Sequence, residues 1–517
     1  MCVSPRTALM VLCLLFPVSA FPATGLLDVQ ALSPRIGSEE TLFSLLSDKE
    51  TGVGYVRKEI PTEVLERLHE NPSFSDKPLI IGVCSGDFDG DDLPDLFFAY
   101  PYGGHRLFKN LGKFKFRDVT RHVGLSKTVA EHWAIGCCFV DHDGDGDLDI
   151  FVAGAGDVNL MLENRAGRSF VDRAKNLGLA HKGANIEMAF ADYDLDGDLD
   201  GYLVTNRDTH LKPPPDGLRV QATIKNGETI IEEKYRELYD VVFHPTERFR
   251  VVEAGEHDHL FRNDGSRFID VSEAAGLVGT DQGLSASWFD YDEDGFPDLY
   301  VANDFFGPDR LYRNKGDGSF DEVARKVLPY VPWFSMGTDV ADINNDGLLD
   351  LMGSDMAGST HYKSKIGMGD MDKNSWFLTS SRPPQYMRNA LYLNAGSGRF
   401  LEIAQLAGLA NTDWTWSVKF ADLDNDGRVD LFGTNGMTND RTNSDLVSKA
   451  SSLAGSAKVA AFWQSQSPKR DHNFAYRNLG DLRFSDMAAK WGLDFLGVSY
   501  GASFADFDGD GDLDLAV

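Results

Sequence analysis

Long apolar runs are scarce in this sequence, and the one clear example lies at the amino terminus. Arg6 is followed by the apolar stretch 8–18 and then by Val18-Ser19-Ala20 and Ala23, whose small residues are typical of a signal peptidase site. This stretch falls short of the about 20 residues needed to span a bilayer. We predict a signal peptide over residues 1–23 and a secreted protein without a membrane span, extracellular or, in a bacterium, periplasmic or surface-attached.

Cysteine is also rare, with five in 517 residues. Removal of the signal peptide would leave Cys84, Cys137 and Cys138, which do not make a disulfide framework. Cys84 and Cys138 occupy equivalent places before two acidic loops, so a bridge between neighbouring strands is one reading. Burial as free, small apolar residues is the favoured one.

Basic residues are few relative to acidic ones. The chain holds 50 Lys and Arg against 80 Asp and Glu, which gives a formal net charge of -30. A surface of this sign repels phosphate backbones, so we do not expect a nucleic acid as a partner.

Much of the acidity belongs to one short loop that occurs seven times, with the pattern Asp-x-Asp-x-Asp-Gly-x-x-Asp. Carboxylates at alternate positions around a sharp turn are the ligands that Ca²⁺ takes from a short loop. We therefore predict up to seven Ca²⁺ sites. The predicted ligands are Asp87, Asp89, Asp91 and Asp95; Asp141, Asp143, Asp145 and Asp149; Asp192, Asp194, Asp196 and Asp200; Asp290, Asp292, Asp294 and Asp298; Asp342, Asn344, Asp346 and Asp350; Asp422, Asp424, Asp426 and Asp430; and Asp506, Asp508, Asp510 and Asp514.

Other readings of the loop are weaker. A single copy could be a solvated turn, but seven in register argue against that. An EF-hand needs Glu at the twelfth loop position, and none of the seven copies is acidic there. Short apolar runs flank each loop, as in 135–140 and 148–153, which predicts a strand-loop-strand unit. In the first loop Asp92 replaces Gly, and we expect it to adopt the left-handed conformation of the turn.

Two further signatures follow most loops. One resembles Leu311-Tyr-Arg-Asn314, and the other resembles Phe268-Ile-Asp-Val-Ser272 with Gly-Leu four residues later. Together with the hairpin they predict four strands per repeat of about 50 residues, the period of propeller blades. The predicted fold is an all-β, seven-bladed β-propeller over residues 81–517, with the Ca²⁺ loops between the first two strands of each blade.

The last repeat is short, because only Leu515-Ala-Val517 follows its loop. We expect the last blade to be truncated. Within the amino-terminal segment 24–80, residues Phe43 to Val53 resemble a fourth-strand signature and could close the ring as the outermost strand of that blade. Insertions at 206–257, 355–388 and 437–472 all fall after a metal hairpin; we read them as loops on one face rather than linkers between domains.

These repeats resemble the FG-GAP repeats of integrin α-subunit propellers, and more closely the secreted family that includes cartilage acidic protein. The resemblance covers about residues 40–517 and rests on the acidic loops, the Leu-Tyr-Arg-Asn strands and the Phe-x-Asp-Val strands. It implies bound Ca²⁺, a seven-bladed propeller and a role in extracellular interaction or adhesion. Many bacterial relatives carry a further carboxy-terminal ASPIC/UnbV domain, which would lie beyond residue 517.

The expected partner is an extracellular protein or glycan. Aromatic and acidic residues precede several innermost strands, at the face opposite the metal loops, and could form a recognition surface or merely plug the hub. The residues proposed for this surface are His132, Trp133, Asp281, Trp333, Trp414 and Trp416.

We do not expect an enzyme. Glu253, His257 and His259 are only a weak transition-metal pattern, and no nucleophile elbow or phosphate loop is present. A calcium-dependent polysaccharide lyase or hydrolase built on a propeller is the alternative, since a fold does not determine a function.

Overall fold

A computed structural model describes residues 41–54, 81–100, 104–207, 222–225, 228–232, 235, 239–244, 248–277, 279–305, 307–367, 383–453 and 456–517. The predicted signal peptide, most of the segment 24–80 and parts of all three insertions lie outside these ranges. The fold is all-β in class, with 39% strand and 12% helix.

Six units each form a four-stranded antiparallel sheet in sequential order, as the signatures predicted. Unit 1 comprises Gly82–Gly86, Asp95–Ala99, Arg106–Asn110 and Phe116–Asp118; unit 2 Ala134–Val140, Asp149–Val158, Leu160–Asn164 and Phe170–Asp172; unit 3 Lys182–Ala191, Asp200–Thr205, His259–Asn263 and Phe268–Asp270. Unit 4 comprises Gln282–Phe289, Asp298–Asp304, Arg310–Asn314 and Phe320–Glu322; unit 5 Thr338–Ala341, Asp350–Gly353, Ala390–Asn394 and Phe400–Glu402; unit 6 Thr415–Ala421, Asp430–Asn435, Phe474–Asn478 and Phe484–Asp486. Unit 7 has the hairpin Ser503–Ala505 and Asp514–Ala516. Units 2 and 3 are also joined by pairing between their longest strands.

The Gly-Leu signature marks the end of a one-turn helix after the fourth strand. Such helices span Ala174–Leu177, Ser272–Ala275, Ala404–Ala407 and Ala488–Trp491, and a fifth over Ala324–Val327 ends at Leu328 without the glycine. In unit 2 Gly178 ends the helix with φ 86°, a conformation that favours glycine. Leu179 then turns inward and is fully buried. The signature therefore encodes a helix cap that directs an apolar residue into the core.

The core lies between neighbouring sheets, where both faces of each second strand are covered. The residue two positions before each loop packs against these clusters in six units; these residues are Phe139, Phe190, Trp288, Val340, Phe420 and Phe504. In unit 1 Ser85 takes this place, and its hydroxyl lies 2.7 Å from that of Ser503. Cys84, Cys137 and Cys138 are free, and Cys84 is buried, so the bridged reading is wrong.

The units follow one another through their first strands, each of which contacts the next from unit 1 to unit 6, while the first strand of unit 7 contacts that of unit 1. Units 6 and 7 are linked by the Thr434 hydroxyl, which donates to the carbonyl of Tyr500 at 2.6 Å. Contacts therefore run all the way round the seven units and return to the start.

Residues 41–54 lie between units 6 and 1. Phe43 N donates to the carbonyl of Trp491 at 2.8 Å, as Phe170 N does to Val123 in the fourth strand of unit 2. Gly52 approaches the carbonyl of Phe116 as Gly178 approaches that of Phe268. The segment thus occupies the outermost place of unit 7. It differs from the prediction in that residues 43–47 form no strand, since no strand of the described residues pairs with them. The helix over Asp48–Thr51, capped by Ser47 and Glu50, takes the place of the one-turn helix that follows the fourth strand in unit 2.

The insertions begin where second strands end, away from the acidic loops. The first contains the hairpins Ala222–Lys225 with Glu228–Ile231 and Tyr239–His244 with Arg248–Glu253. The second contains a helix over His361–Ile366, and the third has helices over Ser444–Ser451 and Ser456–Gln464. Short strand pairs join Val331–Pro332 to Gln385–Tyr386 and Asp471–His472 to Leu496–Gly497. One end of the molecule therefore carries the acidic loops and the other carries the insertions.

Candidate functional site

The first aspartate of each loop holds the turn together. In unit 2 the carboxylate of Asp141 accepts from the backbone N–H of Asp145 at 3.1 Å and of Gly146 at 3.0 Å. Gly146 has φ 89°, and Asp92 in the first loop has φ 66°, as expected for a residue that replaces this glycine. These bonds fold the loop so that its alternate side chains converge.

In units 1 to 6 the last aspartate of the loop is buried and joins the loop to the third strand. Asp149 accepts from His142 N through Oδ2 at 3.3 Å and from Asn164 N through Oδ1 at 2.6 Å. Burial raises the pKa of its equivalents Asp95, Asp200, Asp298, Asp350 and Asp430 to about 7 and that of Asp514 to about 6. Removal of these carboxylates from water is only partly offset by the N–H donors.

The aspartate at the third loop position has an oxygen that meets no donor. In five of the seven loops its Oδ1 is buried without a hydrogen-bond partner; these residues are Asp89, Asp194, Asp292, Asp424 and Asp508. Carboxylate oxygens of the loop also lie within 4.8 Å of one another, in the sets Asp87, Asp89 and Asp95; Asp141, Asp143 and Asp149; Asp192, Asp194 and Asp200; and Asp290, Asp292 and Asp294. Several convergent oxygens, one of them unpaired, are a donor set that fits a hard divalent cation.

Basic side chains of the third strand reach three of these loops, and in unit 4 Arg313 Nη1 lies 3.9 Å from Asp292 Oδ2. Lys109 Nζ contacts Asp89 and lies 2.9 Å from Asp91 Oδ2. Arg477 binds Asp424 through Nε at 2.7 Å and Asp426 through Nη2 at 3.0 Å. The sequence did not reveal these contacts, because the third strand is separated from the loop along the chain.

At the opposite end, the predicted partner-binding residues fall into two groups. Trp333 is buried against Phe334, with ring centroids 5.3 Å apart, and His132 is also buried. Neither therefore presents its side chain to a partner. Asp281 is half-buried and is held by Arg310 at 2.7 Å.

Trp133, Trp414 and Trp416 are half-buried and therefore accessible in part. Trp414 and Trp416 lie side by side, with centroids 5.7 Å apart, and Lys469 Nζ stands 5.6 Å from the Trp414 ring. The indole nitrogen of Trp416 donates to the carbonyl of Gly436, whereas that of Trp414 is buried without a partner. The third insertion brings Lys469 to the two indoles, a neighbourhood that sequence spacing could not reveal.

His132 belongs to a chain of hydrogen bonds. Tyr100 N donates to His105 Nδ1 at 3.0 Å, His105 Nε2 lies 2.9 Å from His132 Nδ1, and His132 Nε2 reaches the carbonyl of Val158 at 2.6 Å. Both imidazoles must be neutral for every donor to meet an acceptor. Burial lowers the pKa of both histidines, and for His105 the neighbouring His132 lowers it further.

Substitution of His132 should change the acid sensitivity of the protein. The pKa of His132 is lower in the folded protein than its value of about 6.5 in the unfolded chain. The stability contributed by neutral His132 is therefore fully present above about pH 6.5. Below that pH the free energy of unfolding falls by about 1.4 kcal/mol per pH unit. In His132→Gln an amide can still accept and donate without titrating. We expect its free energy of unfolding to fall less between neutral and mildly acidic pH, measured by urea titration. An identical pH profile in the variant would contradict this account.

Comparison with known proteins identifies the repeats. The model of the FG-GAP-like repeat matches residues 87–152, 141–203, 290–353 and 367–433. No curated protein matches the chain significantly. Among the described residues, no helix has both the length and the apolar character needed to cross a membrane.

Solved structures with similarity include a lectin from Agrocybe aegerita that recognises non-reducing terminal N-acetylglucosamine, with 16% identity and a TM-score of 0.38 over 81% of this chain and 85% of the lectin. A gluconolactonase from Xanthomonas campestris shows 10% identity and a TM-score of 0.32 over 68% of this chain and 82% of its own. At these TM-scores neither likeness bears on what this chain binds. The repeated acidic hairpins and the family match together show that the chain contains FG-GAP-like repeats in a propeller-like all-β fold.

Proposed function

We propose that this chain is a secreted, seven-bladed, Ca²⁺-binding β-propeller that acts as an extracellular interaction or adhesion module. The observation that carries the proposal is the unpaired buried oxygen at the third position of five acidic loops. A buried carboxylate oxygen without a donor is costly unless a cation meets it. Because the same unpaired oxygen recurs in five loops, a bound cation explains it better than a local irregularity of the structure does.

Calcium suits these loops better than other common cations. All ligands are hard oxygens, and the loop offers several of them in a short, flexible turn, whereas Mg²⁺ demands near-ideal octahedral geometry. The loops lack His and Cys among the predicted ligands, which Zn²⁺ would favour. The ions would join the loop to the core and so support the blade architecture.

The contacts of unit 7 support the proposed number of blades. Unit 7 has a first strand in contact with unit 1, and residues 43–52 occupy its outermost place. We therefore count it as the seventh blade. Two observations support secretion. The apolar stretch near the amino terminus ends in small residues, as a signal peptide does. Millimolar Ca²⁺ outside cells would also fill weak sites of the extracellular type.

The proposed partner-binding surface comprises Trp414, Trp416 and Lys469. Partly exposed indoles beside a cation provide stacking surface and charge. Aromatic and cationic side chains of this kind dominate recognition surfaces for proteins and glycans. The surface lies at the end of the molecule opposite the acidic loops, so binding and Ca²⁺ need not compete.

Replacement of Trp414 should abolish partner binding without unfolding the protein. We expect Trp414→Ala to lose at least about tenfold in affinity, as for a recognition hot spot, in a glycan array and in capture of extracellular matrix proteins with Ca²⁺ present. Tyr362→Ala is the matched control, because Tyr362 is 69% exposed at the same end but outside the cluster.

The possible results distinguish a binding surface from a core residue and a binding module from an enzyme. Unchanged binding by Trp414→Ala would remove this surface from the proposal, and a large fall in its melting temperature would make the indole part of the core. Turnover of a polysaccharide by the parent protein, lost on chelation of Ca²⁺, would overturn the binding-module proposal in favour of an enzyme.

A further inference from the structure

Two histidines meet at the end of unit 3 that faces away from the acidic loops. His181 immediately precedes the first strand of the unit, and His259 begins the third strand. Their ring centroids are 4.4 Å apart and the ring planes are inclined by 50°. Both side chains are half-buried, so solvent can reach them.

The hydrogen bonds fix the tautomer of His181. Its Nδ1 lies 2.8 Å from Asn185 Oδ1, and the Asn185 amide nitrogen donates to the carbonyl of Gly154 at 2.9 Å. The amide oxygen of Asn185 is therefore the acceptor, and Nδ1 of His181 carries the hydrogen. This leaves the lone pair of His181 on Nε2.

His259 has the same arrangement with a carboxylate. Its Nδ1 lies 2.7 Å from Asp270 Oδ2, so Nδ1 donates and the lone pair of the neutral ring is on Nε2. A carboxylate or amide oxygen behind Nδ1 is the usual support of a histidine that binds a metal through Nε2. Burial, and then the neighbouring His259, lower the pKa of His181, which favours the neutral, ligating form.

A carboxylate lies beside the pair. Glu256 Oε2 accepts from Ala184 N at 2.9 Å, and a Cβ added to Gly183 would lie 2.3 Å from this oxygen and 2.6 Å from His181 Cε1. The oxygen and the Cε1–Nδ1 edge of His181 therefore both lie against Gly183, whose lack of a Cβ allows them to approach each other. Glu256 comes from the end of the first insertion.

We propose that His181, His259 and Glu256 bind a transition-metal ion of the Zn²⁺ type at this end of unit 3. Two neutral imidazoles and one carboxylate are ligands that Zn²⁺ and Co²⁺ prefer, and they leave a coordination position for water or a partner group. Ca²⁺ prefers all-oxygen sites, so the two kinds of site are distinguished by chemistry as well as by position. His257, which the sequence grouped with His259, is exposed and outside the cluster.

The test is a titration of the full chain with Zn²⁺ in millimolar CaCl₂, which occupies the acidic loops. We expect one tight equivalent, weakened at least about tenfold in His181→Gln and in His259→Gln and unchanged in His257→Gln. Glutamine can still donate to Asn185 or Asp270, which preserves the local fold. Asp270→Asn should weaken binding by about tenfold as a loss of ligand orientation.

Two results would overturn the site. One is Zn²⁺ binding of parental strength in both His181→Gln and His259→Gln, measured on samples whose circular dichroism matches the parent. The other is independent of any variant: Co²⁺ added to the parent in CaCl₂ should give the visible bands of nitrogen-ligated cobalt, and their absence would show that the two imidazoles are only a packed pair.

Discussion

Chelation of Ca²⁺ should lower the melting temperature of this protein by more than any single substitution. At millimolar Ca²⁺ and a dissociation constant of about 10⁻⁴ M, each occupied site stabilises the folded state by about 1.4 kcal/mol. Seven such sites would contribute about 10 kcal/mol, which is comparable to the entire stability of a typical domain. The measurement is calorimetry in CaCl₂ and after EGTA, with residual metal determined by elemental analysis.

Restoration by different cations supplies the first control. CaCl₂ added after chelation should recover the melting temperature, and MgCl₂ at the same concentration should recover little of it, because Mg²⁺ fits flexible oxygen loops poorly. An unchanged melting curve after verified removal of metal would refute a structural role for calcium.

A pair of variants in the fourth loop provides the second control. Asp292 has the unpaired buried oxygen, whereas its neighbour Glu293 is exposed and does not belong to the convergent set Asp290, Asp292 and Asp294. Asp292→Ala and Glu293→Ala remove the same charge. Only the first should bind one Ca²⁺ fewer per chain, which equilibrium dialysis can count.

The sequence was sufficient for the repeat and for the turn. Strands, hairpins and the acidic loop are local, so the short apolar runs and the Asp spacing were enough to predict them. The position of Asp92 in the left-handed region followed for the same reason. What spacing could not supply was the partner of each side chain in another unit.

The place of the amino-terminal segment was predictable, but its form was not. Phe43 and Gly52 resembled a fourth-strand signature and do occupy that place. Residues 43–47 form no strand because a strand needs a neighbour, and no strand of the described residues pairs with them. The helix over Asp48–Thr51 forms as it does after fourth strands elsewhere, because the hydrogen bonds of its Ser47–Glu50 cap are local.

His132 and Trp333 show why the partner surface was only partly predictable. Both precede innermost strands, like Trp414, and nothing in composition separates them. His132 and Trp333 are more buried than Trp414 in the structure, because His105 bonds to His132 and Phe334 stacks on Trp333. Likewise, His181 and His259 are brought together only by the pairing of the strands of unit 3.

The asparagine that ends each third strand connects adjacent units, a role that its repetition in the sequence did not reveal. Its amide donates to a carbonyl in the loop of the preceding unit, and in unit 1 to unit 7. These asparagine bridges are Asn110 to Phe507 at 2.9 Å, Asn164 to Phe88 at 2.7 Å, Asn263 to His142 at 3.0 Å, Asn314 to Tyr193 at 2.8 Å, Asn394 to Tyr291 at 2.8 Å and Asn478 to Ile343 at 2.8 Å. They connect the loops of adjacent units.

Removal of one asparagine bridge should therefore be strongly destabilising even with calcium in excess. Asn164 is 2% exposed; its Nδ2 also donates to the carbonyl of Leu148, and its Oδ1 accepts from Gly167 N. Asn164→Ala leaves the buried carbonyl of Phe88 and the partly buried carbonyl of Leu148 and N–H of Gly167 without this partner, at about 1–3 kcal/mol each. We expect a total loss of about 3–5 kcal/mol in the free energy of unfolding, measured by urea titration in CaCl₂. Arg168→Ala, an exposed neighbour, should stay within about 0.5 kcal/mol of the parent. If Asn164→Ala matched this control, the bridges would be incidental to stability, and the acidic loops and apolar core alone would hold the units together.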